Sequence, residues 1–133
     1  MSWDSYIDNL LGHASGNADK ACIIGIDGSK WTSDGPANAL KLTPTEAVTI
    51  GNAFKCKDYT TFQASGIYAE SIKYQFLRED EGIVLGKKKD NGALTLQASK
   101  TAVVIGHTKE GGQQGSTNKA VDTIAKYLEG LNM

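Results

Sequence analysis

Chemistry requires particular side chains at particular spacings, and this chain offers few of them. Its two histidines, His13 and His107, stand without Cys, His or carboxylate neighbours at ligand spacing, so the sequence predicts neither a metal site nor a cofactor. The run Glu79-Asp80-Glu81 leads into Gly82, and a solvated hairpin tip accounts for it better than paired catalytic carboxylates do. The stretch Gly106-His107-Thr108-Lys109-Glu110-Gly111-Gly112-Gln113-Gln114-Gly115 has the composition of a phosphate cradle. It lacks the Gly-Lys-Ser/Thr ending of a P-loop, and no dinucleotide glycine spacing follows a first strand. It reads as a flexible connection into the last helix. Serines are plentiful, yet none lies in a nucleophile-elbow context. No enzyme signature is present.

What remains is surface for recognition. Trp3, Tyr6 and Trp31 all lie near the start of the chain, and Tyr127 falls to one side of the apolar stripe of the last helix. If the first and last helices lie side by side, these rings line one shallow groove. Rigid rings with a hydrogen-bonding tip suit a polyproline II ligand, which has three residues per turn, no internal hydrogen bonds and free carbonyls. Such a ligand is already extended, so little ordering entropy opposes its binding.

The elements that must position these rings follow from periodicity. Residues 3, 6, 7, 10 and 11 form one helical stripe, with Ser2 as N-cap, Asp4 in the first turn and Gly12 as the stop. A helix this short is not stable alone and must dock Ile7, Leu10 and Leu11 on a body. Ala21–Ile26 reads as a buried strand, Asp27-Gly28 as a turn, and Trp31-Thr32-Ser33 as a returning strand. Thr43-Pro44-Thr45-Glu46 is a capping-box start for a second helix, whose inner face is Ala47, Ile50, Gly51 and Phe54. Segments 66–70, 73–78, 83–87, 93–98 and 101–107 read as strands with gaps too short for anything but an antiparallel meander. The most uniformly apolar of them, Thr101–Ile105, is expected centrally. A closing helix of about Ser116–Gly130 turns Val121, Ile124, Ala125 and Leu128 inward. The expected fold is α+β: a mostly antiparallel sheet covered by helices.

Bulk properties bound the class. With 133 residues, 40% hydrophobic and 22% charged, the chain reads as one ordinary globular domain spanning 1–133. A net charge of −1 gives no general pull toward nucleic acid or membrane, but the charge is uneven. Through residue 72 there are five Lys/Arg against eight Asp/Glu, whereas Lys87 to Lys126 holds seven Lys against three acids. The second half therefore carries a basic face. Cys22 and Cys56 sit in apolar contexts and form no CxxC; buried free thiols in a reducing compartment are expected. No run approaches a membrane span and no secretory pattern opens the chain, so the expected location is the cytosol.

Several of these residues together resemble the profilin family. They are Ser2-Trp3-x-x-Tyr6-Ile7-Asp8, Trp31 at the end of an early hairpin, Gly66-Ile67 followed by Lys73-Tyr74-Gln75-Phe76-Leu77-Arg78, Gly86-Lys87-Lys88, and the glycine-rich loop running into Asn118-Lys119. The match runs essentially from end to end. The resemblance implies terminal helices packed together on one face of the sheet with the further helix on the other, and a cytoplasmic, cytoskeleton-associated protein with two opposed sites and no enzymatic activity. One site would grip proline-rich segments, such as those of formins, with Trp3, Tyr6, Trp31, Tyr127 and Met133. The last stands where vertebrate forms place an aromatic, so the outer end of the groove would grip less well. The other would meet monomeric actin with Lys73, Phe76, Arg78, Lys87, Gln113, Gly115, Asn118 and Lys119. Gln113 replaces a histidine of vertebrate forms, and Thr123 an acidic residue whose charged contact would be lost. Lys87-Lys88-Lys89 would attract phosphoinositide headgroups, about 1 kcal/mol per lysine at an anionic surface.

The basic half agrees with that transfer. Lys73, Arg78, Lys87 and Lys119 suit an acidic partner, with Phe76 expected to supply more of the holding energy. Two other readings stay open at this point: a small-molecule sensor domain of similar architecture, which needs an apolar cavity between sheet and helix, and an enzyme using the glycine-rich loop for phosphate.

Overall fold

The computed structural model describes residues 3–133. Helix α1 (Ser5–His13) starts after Asp4, whose side chain makes no capping bond to it, and buries Tyr6, Ile7 and Leu10. The expected cap at Ser2 lies outside the described residues. Gly12 does not stop the helix, which runs one residue further to His13 with Ala14 as its C-cap, and the reversal is made by Ser15 and Gly16, both at positive φ. Strand β1 (Ala18–Gly25) follows. The expected returning strand Trp31–Ser33 is not one. Only Lys30 makes an isolated bridge, to Ile24, while the Trp31 and Thr32 N–H groups share the Ile23 carbonyl and the chain then bends away.

Helix α2 (Pro44–Cys56) starts as its sequence dictates. The Thr43 hydroxyl accepts from the Glu46 N–H at 3.2 Å, and the Glu46 carboxylate accepts from the Thr43 N–H at 2.8 Å. It ends at Lys57 in the left-handed region. A short helix α3 (Thr60–Ser65) comes next and was not legible in the sequence, because six residues with one buried side chain, Phe62, show no period. Its start is held by the Asp58 carboxylate, which accepts from the Thr60 N–H and hydroxyl.

The meander is β2 (Ile67–Ala69), β3 (Ile72–Asp80), β4 (Ile83–Lys88), β5 (Gly92–Ala98) and β6 (Ala102–Thr108), and α4 (Gln114–Gly130) closes the chain. The strand order is β1-β6-β5-β4-β3-β2, every neighbour antiparallel. The apolar β6 lies between β1 and β5, one strand in from the edge. The acidic run lies at the β3–β4 turn, where Glu81 and Gly82 both take positive φ and the Glu79 carboxylate accepts from the Gly82 N–H. It is a solvated hairpin tip.

Alternation along the strands divides the interior into two cores. Cys22, Ile24, Val103, Ile105, Leu94 and Leu96 pack under α2 and α3. Ala21, Ile23, Ala102 and Val104 pack under α1 and α4, against Ile7, Leu10, Val121 and Leu128. The two helices approach the sheet closely because β6 has no side chain at Gly106. A Cβ there would stand 2.8 Å from Val121 Cγ2 and 2.9 Å from Thr117 Cγ2.

Three further expectations change. Cys22 is buried, but Cys56 ends α2 on its outer face and is exposed. His107, alone in the sequence, is buried on β6 and partnered across the fold. Its Nδ1 lies 2.5 Å from the Asp19 carboxylate, and its Nε2 lies 2.6 Å from the accepting Asn91 carbonyl. The glycine-rich connection is shorter than read, since Gly106, His107 and Thr108 belong to β6.

Candidate functional site

The aromatic residues come together. Trp3, just before α1, stands with its ring centroid 5.3 Å from Tyr6 and 4.8 Å from Trp31. Tyr6 in turn lies 6.0 Å from Tyr127 of α4. The rings form one chain, Trp31–Trp3–Tyr6–Tyr127, across the α1–α4 pair. Exposure varies along it: the two indoles are half-buried, Tyr6 is 7% exposed and Tyr127 is 52% exposed. Tyr6 is thus more a wall of the groove than a displayed ring. Burial first, and then the neighbouring Tyr127, push its phenol up from the ordinary tyrosine range.

Met133 belongs to the same end. Its carbonyl accepts from the Thr101 N–H and the Ser99 hydroxyl, and its part-buried side chain packs against the α1–α4 core, as those of Trp3, Leu11 and Trp31 do. Beyond Tyr6 and Tyr127 a shallow groove continues between the helices, lined by Asn9, His13, Thr123 and Ile124. Asp4 and Ser33 were not singled out by sequence reasoning. The Asp4 carboxylate accepts from the Ser33 N–H and hydroxyl, both at 2.7 Å, across 29 residues of chain. Those two donors, the N–H first, hold the carboxyl below the usual carboxylate range. Nothing in either residue's local pattern signals this pairing.

The basic residues lie on the same face of the sheet, toward its β3–β4 end. Register sets their faces. Arg78 stands opposite Leu85 and Leu85 opposite Thr95, whose hydroxyl bonds the Asn118 side chain of α4. Lys87 stands opposite Gln75, and Lys73 shares the parity of Gln75. Helix α4 covers β5 and β6 but leaves this part of β3 and β4 open, so exposed Lys73, Arg78 and Lys87 border its first turns, where Gln113, Gly115 and Lys119 are also exposed. Gln114 secures that end of the helix by donating to the Leu94 and Gly86 carbonyls. Phe76 has the opposite parity and is part-buried against the α2–α3 core with Ile72. It reaches the same region only at the edge, where Lys73, Phe76, Lys87, Lys88 and Lys89 line one open depression.

The two regions are separate. Along α4, Tyr127 and Asn118 are nine positions apart, about 14 Å of helix rise. Among the described residues, no group of three or more His, Cys, Asp or Glu is arranged to hold a metal ion, and no helix is long and apolar enough to cross a membrane.

Comparison with known proteins bears on the same chain from outside. A family model described as Profilin matches residues 1–133. The profilin of Heliocidaris crassispina is 61% identical over 140 residues, covering 100% of both chains. The crystal structure of Acanthamoeba castellanii profilin II superposes with a TM-score of 0.84 at 32% identity, covering 99% of this chain and 100% of that one. Mouse profilin IIa in complex with a double repeat from the FH1 domain of mDia1 has the same fold, with a TM-score of 0.75 at 23% identity and all of both chains covered. End-to-end identity to profilins, and an antiparallel sheet carrying the terminal helices as theirs does, show that this chain belongs to the profilin family.

Proposed function

We propose that this protein binds proline-rich segments with the ring chain Trp31–Trp3–Tyr6–Tyr127, bordered by Met133, and monomeric actin with the basic region. The observation that carries the reading is the unbroken succession of aromatic contacts at one end of the molecule, with the indoles left half-buried. Flat, rigid faces with N–H and O–H tips complement the ring faces and free carbonyls of a polyproline II helix. Mouse profilin IIa, which shares the fold, is known in complex with a double FH1 repeat, a precedent for such a ligand.

The actin assignment rests on family membership together with the basic strip of Lys73, Arg78, Lys87 and Lys119, with Gln113, Gly115 and Asn118 beside it and Phe76 at its edge. Complementary charge on that strip speeds encounter with an acidic partner and rejects wrong ones. With a proline-rich tether held at one end and an actin monomer at the other, the protein acts as a scaffold. It raises the local concentration of monomer where the tether is anchored and supplies no catalytic group. Its place of action is the cytoplasm, with the cytoskeleton. Lys87, Lys88 and Lys89, three adjacent cations at that edge, attract phosphoinositide headgroups weakly and in competition with actin.

Titration of tryptophan fluorescence with a proline decamer tests the groove. A saturable change that disappears in Trp3→Ala is expected. No change at millimolar peptide refutes the assignment. A pull-down on immobilised polyproline, with actin sought in the eluate, tests the pairing of the two sites.

A further inference from the structure

The two half-buried indoles of the groove lie on backbone that no helix or strand holds. Trp3 precedes α1, and Trp31 lies on the bend after β1. One flank of the Trp31 segment is fixed to the sheet. The Trp31 and Thr32 N–H groups donate to the Ile23 carbonyl at 3.0 and 3.2 Å, and the Ile23 N–H donates to the Thr32 hydroxyl at 3.1 Å. The other flank is fixed to the residue next to Trp3. Both oxygens of Asp4 are engaged by Ser33, one by its N–H and one by its hydroxyl, each at 2.7 Å. A single carboxylate therefore bridges the two tryptophan-bearing segments through two short charge-assisted bonds. The rings so joined are 4.8 Å apart and inclined at 43°.

We propose that Asp4 is a positioning residue of the groove, whose clamp on Ser33 sets the spacing of Trp3 and Trp31 before a proline-rich ligand arrives. The inference rests on the reading of this surface as a proline-binding site and adds to it how the site is preorganised. The physical reason is entropic. Unlinked, the two indoles would be ordered by the ligand at the moment of binding, and each immobilised side chain subtracts from affinity. The clamp orders them during folding instead. Ser33 is exposed, and a solvated polar contact adds little to global stability, so the clamp acts on ring geometry rather than on whether the chain folds.

The test uses the full chain and a proline decamer, with Asp4→Ala, Asp4→Asn, Ser33→Ala, the Asp4→Ala/Ser33→Ala double variant and Trp3→Ala. Asp4→Ala is expected to bind about tenfold more weakly, the loss of ordering for roughly one to two large side chains. Asp4→Asn, which keeps one accepting oxygen, and Ser33→Ala, which keeps the N–H donor, each lose about threefold. The double variant is no weaker than Asp4→Ala, because the two residues act through one contact. Two indoles this close couple excitonically, so the free protein's circular dichroism reports their spacing directly. The couplet should shrink in Asp4→Ala while the urea midpoint stays at the parent value.

Parent affinity and parent couplet in Asp4→Ala overturn the proposal. So does a loss of affinity with the couplet intact and the urea midpoint lowered, which marks general destabilisation. Additive losses in the double variant overturn it as well. Trp3→Ala separates the two layers. If it still binds the decamer as the parent does, the proline-site reading has failed. If Trp3 is required and Asp4 is not, only the clamp has.

Discussion

Placing an alanine at Gly106 tests how α4 is held at the height that brings Tyr127 to Tyr6. The added Cβ would stand 2.8 Å from Val121 Cγ2, 2.9 Å from Thr117 Cγ2 and 3.6 Å from Leu10 Cδ2. The first two separations are about an ångström inside comfortable carbon–carbon contact. Val121 and Thr117 are both fully buried, so neither can swing into solvent, and the strain must move the helix. Gly106→Ala is therefore expected to destabilise by about 1–3 kcal/mol. Val121→Ala alone empties part of a buried site and costs about 2 kcal/mol. Combined, each change relieves the other, since the methyl added on β6 occupies space vacated on α4. The double variant should be more stable than the sum of the single effects requires by at least about 1 kcal/mol, well beyond the additivity of independent sites. Urea denaturation followed by far-ultraviolet circular dichroism measures all three. Losses that simply add refute the close-approach argument. The same series carries a functional consequence: proline affinity should fall in Gly106→Ala and recover in the double variant, because the displacement would carry Tyr127 away from Tyr6.

Other outcomes follow from the same geometry. Lys119→Glu should weaken binding of monomeric actin by about tenfold while leaving decamer affinity unchanged, and loss of both in a folded variant contradicts the two-face arrangement. A thiol reagent should label the native protein once and rapidly at exposed Cys56, and reach Cys22 only on unfolding. Burial shuts Cys22 away and pushes its thiol far above the ordinary value; rapid double labelling would contradict that burial. Tyr74 is pushed up to about 12, by burial first and then by the Glu70 and Asp19 carboxylates. A raised folded-state value means that its contribution to stability is complete below about pH 10 and is lost as pH climbs from there through the folded-state value. Urea midpoints should fall over that range in the parent and less steeply in Tyr74→Phe; parallel curves would show that Tyr74 carries no such linkage.

Much of this molecule was legible before any coordinates. The capping box at Thr43–Glu46, the 3.6-residue stripes of the terminal helices and the alternating segments separated by Glu81-Gly82 or Asp90-Asn91-Gly92 are local rules. Local rules are written in neighbouring residues. They gave the helix–strand order and the antiparallel meander, while the sharing of one sheet face by the first and last helices came with the profilin resemblance. The profilin resemblance then carried the site residues as a set.

What the chain in one dimension could not reveal is what depends on distance through space. His107 looks solitary until the fold sets Asp19 and Asn91 against its two nitrogens. Trp31–Ser33 has strand composition, yet the bend after β1 withdraws it from the ladder, because its N–H groups are taken by Ile23 and Asp4. Phe76 reads as an apolar contact on the basic face, and strand parity turns it toward the α2–α3 core. Tyr6 reads as a displayed ring, and the close seat of α4 over Gly106 leaves it almost covered. In each case a deciding partner lies outside the residue's own element, where a sequence holds no periodic signal. Residue pattern alone determined most of the elements that form, α3 and the bend at Trp31 apart. Tertiary packing decided how far apart the groove's rings stand and how much of each meets water, since contact geometry exists only once the elements are assembled.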